Sequence, residues 1–314
     1  MKKVSHSVLL FGATGTIGRA TAQALVDAGH DVTCVLRPSA DAAPLPDGVV
    51  ILRVDVTNLG TLPSVDVIVS CLASRTGSPE DAWAIDHDAH VAILNSAKAA
   101  GVSHFVLLSA ICVQRPLLEF QKAKLAFEQT LATSGMTYSI VRPTAFFKSL
   151  SGQVARVKSG KPFLLFGDGA LTACKPISDR DLGQYLSNCI TDPEVQNRIL
   201  PIGGPEPAMT PRQQGEMIFE MLDLEPKFKS VPLGLMDAII TGLSIGGAII
   251  PPLRRKADFA KIGRYYASES MLVWDGEKYD ADATPSFGSD TLRAHYRAMI
   301  EGNVAADLGD HAIF

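Results

Sequence analysis

The sequence of 314 residues has no C-x-x-C pair and no cysteine–histidine spacing that would suit zinc, so no metal site is expected. Its five cysteines, Cys34, Cys71, Cys112, Cys174 and Cys189, are scattered and odd in number. They read as reduced thiols in packed positions, not as a disulfide framework. Neither sign of charge dominates: 29 lysines and arginines against 33 acids leave a formal −4, which gives no electrostatic reason to expect nucleic acid. At 46% hydrophobic and 20% charged, the composition excludes disorder and collagen-like or coiled-coil architectures. The apolar run after Met1-Lys2-Lys3 is short and leads directly into a glycine loop, so it reads as a strand and not as a signal peptide.

What is present is a repeated unit. VLLF (8–11) precedes a helical stretch over 16–28 that stops at Gly29, and DVTCVL (31–36) follows. The stretch 80–100 ends at Gly101 before HFVLLS (104–109), and 117–134 ends at Gly135 before TYSIV (137–141). A glycine just past a helix ends it, and a strand begins at once. VVILRVD (49–55) and VDVIVSC (65–71) are continuous apolar runs of the kind that suits strands buried on both faces. Strands alternating with helices imply right-handed crossovers and an α/β fold with a Rossmann-type, doubly wound parallel sheet. The expected division is a dinucleotide-binding domain over 1–150, with 178–202 returning to it, and a smaller C-terminal substrate lobe from 151–177 and 203–314. Ser178-Asp179 predicts a helix to about Thr191, the strand-like NRILPI (197–202) follows, and Thr210-Pro211 starts another helix.

Segment 231–253 holds one charge, Asp237, and is followed by Arg254-Arg255-Lys256. Its length approaches a membrane span, but Asp237, the glycines at 234, 242, 246 and 247, and Pro251-Pro252 argue against a straight spanning helix. Core helices, an apolar lid or interfacial surface with peripheral membrane contact, and insertion all stay open. The expected location is the cytoplasm, with or without that contact, or the plastid for a plant source. The oligomeric state is not legible.

Gly12-Ala13-Thr14-Gly15-Thr16-Ile17-Gly18 follows a predicted strand and opens a helix. Such a turn needs residues without a Cβ so that backbone can approach a pyrophosphate at the helix N-terminus. Sites for NAD usually carry an acid at the end of the second strand; Leu36-Arg37-Pro38 stands there instead. A guanidinium suits a 2′-phosphate, with Arg19 as a second candidate clamp, so the expected cofactor is NADPH. Asp55-Val56 would sit at the adenine edge.

The G-A-T-G-x-x-G turn, Asp55-Val56, Ser109 and Phe120-x-x-x-Lys124 resemble the atypical short-chain dehydrogenase/reductase group. In that group a tyrosine ordinarily stands where Phe120 stands and exchanges a proton with a hydroxyl or carbonyl; Lys124, on the same helix face, would hold the nicotinamide ribose. Without the phenol, three readings follow: reduction of a carbon–carbon double bond, a cofactor-binding sensor of the NmrA type without turnover, or a reductase with a relocated acid. A reductase of small substrates resembling isoflavone reductases is a further alternative.

The 175–222 stretch, the Phe120/Lys124 pair and Arg142-Pro143-Thr144-Ala145-Phe146-Phe147 are similar to the divinyl (proto)chlorophyllide 8-vinyl reductase family. The resemblance implies NADPH-dependent reduction of the 8-vinyl group of a magnesium tetrapyrrole in (bacterio)chlorophyll biosynthesis. It implies Lys124, Phe120 and Ser109 at the reacting centre, with Pro143 and Thr144 against the cofactor. Phe146, Phe147, Arg254 and Arg255 would then contact the pigment. His87 and His90 read as structural or solvated, and Lys175, Asp179 and Asp181 as residues that cap a helix and brace the lobes.

Overall fold

The apolar runs of the first half lie parallel to their neighbours. Helices return the chain to the same edge of the sheet after Ser7–Phe11, Val67–Ser70 and His104–Leu108, while Asp31–Leu36, Val50–Arg53 and Val67–Ser70 are joined in turn by segments without a helix among the described residues. The computed structural model describes residues 5–41 and 44–302; the outer ends of the two expected domains, residues 1–4 and 303–314, lie outside the described residues. The strands are β1 (Ser7–Phe11), β2 (Asp31–Leu36), β3 (Val50–Arg53), β4 (Val67–Ser70), β5 (His104–Leu108), β6 (Thr137–Pro143), β7 (Phe163–Phe166), β8 (Arg198–Ile202), β9 (Phe228–Val231), β10 (Val273–Trp274) and β11 (Tyr279–Asp280). The α-helices are α1 (Thr16–Asp27), α2 (Pro79–Ala82), α3 (His90–Ala99), α4 (Glu119–Ala132), α5 (Phe147–Leu150), α6 (Val154–Lys158), α7 (Asp179–Asn188), α8 (Pro211–Met221), α9 (Leu233–Gly247), α10 (Pro251–Tyr266) and α11 (Leu292–Ile300).

Seven strands form one parallel sheet in the order β3-β2-β1-β4-β5-β6-β8, the Rossmann-type doubly wound arrangement. The order reverses between β1 and β4, where Phe11 lies opposite Ser70. All six connected strand ends from β1 to β6 point their carboxyl termini to one edge, where ligands of such sheets bind. Leu9, Phe11, Ile68, Ile93, Phe105, Phe127 and Ile140 pack into one core cluster. Each contributes up to roughly 1.5–3 kcal/mol by leaving water.

Among the described residues the chain forms two compact units. The first comprises 5–74, 79–143 and 179–202, and the second 75–78, 144–178 and 203–302. In the first, α7 lies so close to α1 that a Cβ on Gly183 would fall 2.6 Å from the Ala20 carbonyl carbon. Glycine there lets two helix backbones touch. Two expectations are corrected. The run 49–55 is not a strand buried on both faces: β3 covers only Val50–Arg53, pairs with β2 alone and exposes Val50 and Ile51, because it is the edge of the sheet. The stretch 80–100 is not one α-helix, since a π-helical segment, Trp83–Ala89, interrupts it between α2 and α3.

In the second unit, β7 and β9 pair in parallel, and Phe147, Val154, Phe163, Ile218, Phe219 and Tyr296 share a core cluster. Thr210 caps α8, accepting from the Gln213 amide at 3.3 Å while the Gln213 side chain accepts from the Thr210 amide at 2.8 Å, with Pro211 in the first turn. Helices α9 and α10 form a hairpin joined by an Arg264–Asp237 ion pair at 2.8 Å. No residue of α9 is buried, so the core reading of 231–253 is overturned: its apolar side chains face outward or lie half-covered. No described helix is long and apolar enough to cross a membrane.

Candidate active site

The glycine turn is built by close approach. Gly12 leaves β1 with φ +74°, and a Cβ there would lie 2.5 Å from the Cys71 carbonyl carbon at the end of β4. A Cβ on Gly18 would lie 2.1 Å from the Gly12 carbonyl oxygen. Only glycine fits either place, and the turn therefore stays narrow enough to offer backbone to a pyrophosphate. Gly15 is the N-cap of α1 and no side chain caps the helix, which leaves its positive end facing the turn. The Arg19 guanidinium donates to the Thr14 carbonyl at 2.8 Å, so this arginine braces the turn from within. Thr16 opens the helix and Ile17 is buried beneath it. This cradle fits a dinucleotide.

Arg37 follows β2 and is exposed. The loop that carries it is held by Arg53 of β3, which lies beside Leu36 in register and donates to the carbonyls of Arg37, Pro38 and Ala40 at 3.2, 3.0 and 2.9 Å. The Arg53 guanidinium thus anchors the backbone that carries Arg37. Asp55 accepts from the Thr57 hydroxyl at 2.7 Å and its amide at 2.9 Å, which holds its carboxyl below the usual range. Val56 is buried in the core.

At the other end of the sheet edge, Lys124 of α4 donates to Asp86 Oδ1 at 2.9 Å. Asp86 belongs to the π-helical segment and also accepts from Ser74, through its amide at 3.2 Å and its hydroxyl at 2.6 Å. Phe120 lies one turn before Lys124 and is half-buried. Behind this pair His90 bonds Ser70 at 2.9 Å and donates from Nδ1 to the Ile85 carbonyl at 2.9 Å. Because a carbonyl only accepts, Nδ1 carries the proton and Nε2 receives the Ser70 hydroxyl. Burial, aided by the Lys124 charge, pushes His90 down to about 4 and keeps it neutral.

Ser109 follows β5. It is buried, and its hydroxyl donates to Glu128, which is in turn ion-paired with Arg142. Glu128 needs these partners because it is buried. Pro143 ends β6, and the Thr144 hydroxyl donates to the Lys175 carbonyl. Phe146 is half-buried, whereas Phe147 is in the core of the second unit, where its ring meets that of His295 at 5.4 Å. Arg254 and Arg255 are exposed in the first turns of α10.

Asp86 and Arg53 are the residues that sequence reasoning missed. One acid among Glu80, Asp81, Asp86 and Asp88 in a single helical stretch gives no signal of its own, and Asp86 is buried within the π-helical segment. For Arg53 the signal was present, since a strand adjacent to β2 must end beside Arg37. Among the described residues no cluster of histidine, cysteine and acids could hold a metal ion.

Residues 12–193 match a family model described as NAD(P)H-binding. In the E. coli NADPH-dependent quinone oxidoreductase solved with NADPH, the fold superposes with a TM-score of 0.68 over 93% of this chain and 99% of that one, at 16% identity. The divinyl chlorophyllide a 8-vinyl-reductase of Oryza sativa subsp. indica is 48% identical over 98% of this chain and 82% of its own length. That of Arabidopsis thaliana is 46% identical over 97% and 79%. With identity of this order across nearly all of the sequence, and a nicotinamide-dinucleotide cradle in place, the chain belongs to the divinyl chlorophyllide a 8-vinyl-reductase family.

Proposed function

We propose that this protein reduces the 8-vinyl group of a divinyl chlorophyllide or protochlorophyllide to ethyl, with NADPH as reductant, in (bacterio)chlorophyll biosynthesis. One observation carries the reading beyond family membership: Lys124 is fixed by a buried acid while phenylalanine, not tyrosine, stands one turn before it. A carbonyl substrate needs an acid at the oxygen that becomes an alkoxide. Phe120 offers none, and the Ser109 hydroxyl is committed to Glu128. A vinyl group has no such oxygen, and a conjugated macrocycle spreads negative charge over its own ring.

The turn at Gly12, Thr14, Gly15, Thr16, Ile17 and Gly18 would hold the pyrophosphate. Arg37, backed by Arg53, would bind the 2′-phosphate; Asp55 and Val56 would border the adenine. Lys124 would hold the nicotinamide ribose, with Pro143 and Thr144 beside the ring. When bound, the cofactor supplies a hydride. The chain's own part is positioning: Asp86 and Ser74 fix the Lys124 ammonium, Phe120 keeps the nearby surface apolar, and Phe146 offers an aromatic face to a flat pigment.

The test is an anaerobic mixture of protein, NADPH and divinyl chlorophyllide. The pigment should gain two hydrogens by mass and its Soret band should move to the blue. With NADPH deuterated at the transferable position, one deuterium should appear in each product ethyl group. A pigment unchanged in mass under saturating cofactor would defeat the proposal.

A further inference from the structure

The turn between α9 and α10 combines two features that a lipid surface recognises. Ile245, Ile249 and Ile250 are 70%, 86% and 50% exposed. Arg254, Arg255 and Lys256, also exposed, follow in the first turns of α10. No acidic residue stands between Asp237 and Asp258, so this tip is locally cationic in a chain whose formal charge is −4. A Cβ on Gly247 would fall 2.8 Å from the Arg254 backbone, so the apolar and cationic parts are held together at one tight corner.

We propose that this hairpin tip docks on an anionic bilayer, with the three isoleucines in the acyl boundary and the three cations at headgroup phosphates. The contact is interfacial, because no described helix is long and apolar enough to span. A second copy of the chain suits the tip less well. A twofold contact through the same patch would set Arg254, Arg255 and Lys256 against their own counterparts, and like charges brought together oppose association. A neutral protein groove would leave the cations without a role. The proposal does not rest on the catalytic reading.

Flotation of the full chain with two vesicle preparations tests it, one of phosphatidylcholine alone and one containing phosphatidylglycerol. The protein should float with the anionic vesicles and detach as salt rises, since screening weakens the headgroup contacts. Neutralising the cations together (R254Q/R255Q/K256Q) should lower the partition coefficient on the order of a hundredfold. Ile249→Asp with Ile250→Asp should abolish flotation. These side chains are exposed, so both variants should keep the wild-type circular dichroism and Tm. No flotation with anionic vesicles, or equal flotation of wild type and variants, would overturn the proposal. So would a concentration-dependent dimer, seen by sedimentation velocity, that the same substitutions dissolve.

Discussion

Asp86 Oδ1 and Lys124 Nζ lie 2.9 Å apart, joining a π-helical segment that precedes β5 to the helix that follows it. The Asp86 side chain is 0% exposed and that of Lys124 is 13% exposed, so the acid pays its desolvation through Lys124 and Ser74 while the ammonium keeps one side toward water. A lysine held this way is fixed in place before any ligand arrives.

Asp86→Asn keeps the volume and an acceptor for Ser74 but removes the counter-charge. The cost in stability should be below the roughly 3–5 kcal/mol of breaking a fully buried pair, because Lys124 keeps some contact with water. The separate cost in kcat/KM should be about tenfold or more, which is about 1.4 kcal/mol or more in the barrier. Steady-state rates beside thermal unfolding separate the two; a variant with unchanged rates would show that the pair only supports the fold.

Arg37→Ala should weaken NADPH binding by roughly 1.5–3 kcal/mol, about one to two factors of ten, and NADH binding far less. Arg53→Ala should have a similar but smaller effect, through release of the 37–40 loop. Titration of both cofactors checks this, and equal losses for the two would remove Arg37 from the 2′-phosphate.

Gly18→Ala should abolish cofactor binding. The added carbon would meet the Gly12 carbonyl oxygen at 2.1 Å, and backbone on both sides leaves nothing flexible to yield. Gly29→Ala, where no atom lies near but φ is +86°, should only cost stability, by about 1 kcal/mol. Fluorescence titration of the two variants should therefore diverge.

Phe120→Tyr should bring no gain in pigment turnover, since the reacting carbons carry no oxygen for a phenol to protonate. A several-fold faster variant would show that this site does lack an acid.

Stability should fall on mild acidification. His90 and His104 are both pushed down to about 4, chiefly by burial. The unfolded chain, with ordinary values near 6.5, then binds more protons between about pH 4 and 6.5. The contribution is complete above that window and is lost as pH drops through it. Thermal unfolding followed from pH 7 to 4.5 should show the decline, and His90→Gln should flatten it.

Much of the sheet was legible because its central strands are read twice, as apolar runs and as neighbours of glycine-ended helices. The edge strand β3 misled for the same reason: Val50 and Ile51 look buried by type, and only strand order reveals that they lie on the edge of the sheet, where both are exposed. The glycine turn was legible because its chemistry is local. The Lys124–Asp86 pair was not, since it joins residues 38 apart through a local change of helix type that no residue pattern announces. The apolar run 231–253 showed its composition but not its surroundings, so core and surface could not be told apart until α9 was seen to bury nothing.

The contact of Gly183 with Ala20 sets an order of events during synthesis. The nucleotide-binding unit is interrupted by 144–178 and is finished by α7 and β8. When the ribosome has made β6, the sheet still lacks its last strand and α1 still exposes the surface that Gly183 will cover. Closure of this unit must therefore wait for a contact between residues far apart in the chain, which is slow to form and leaves apolar surface open meanwhile. A chain truncated before residue 179 would carry the whole glycine turn and Lys124, and yet be a poor vessel for either.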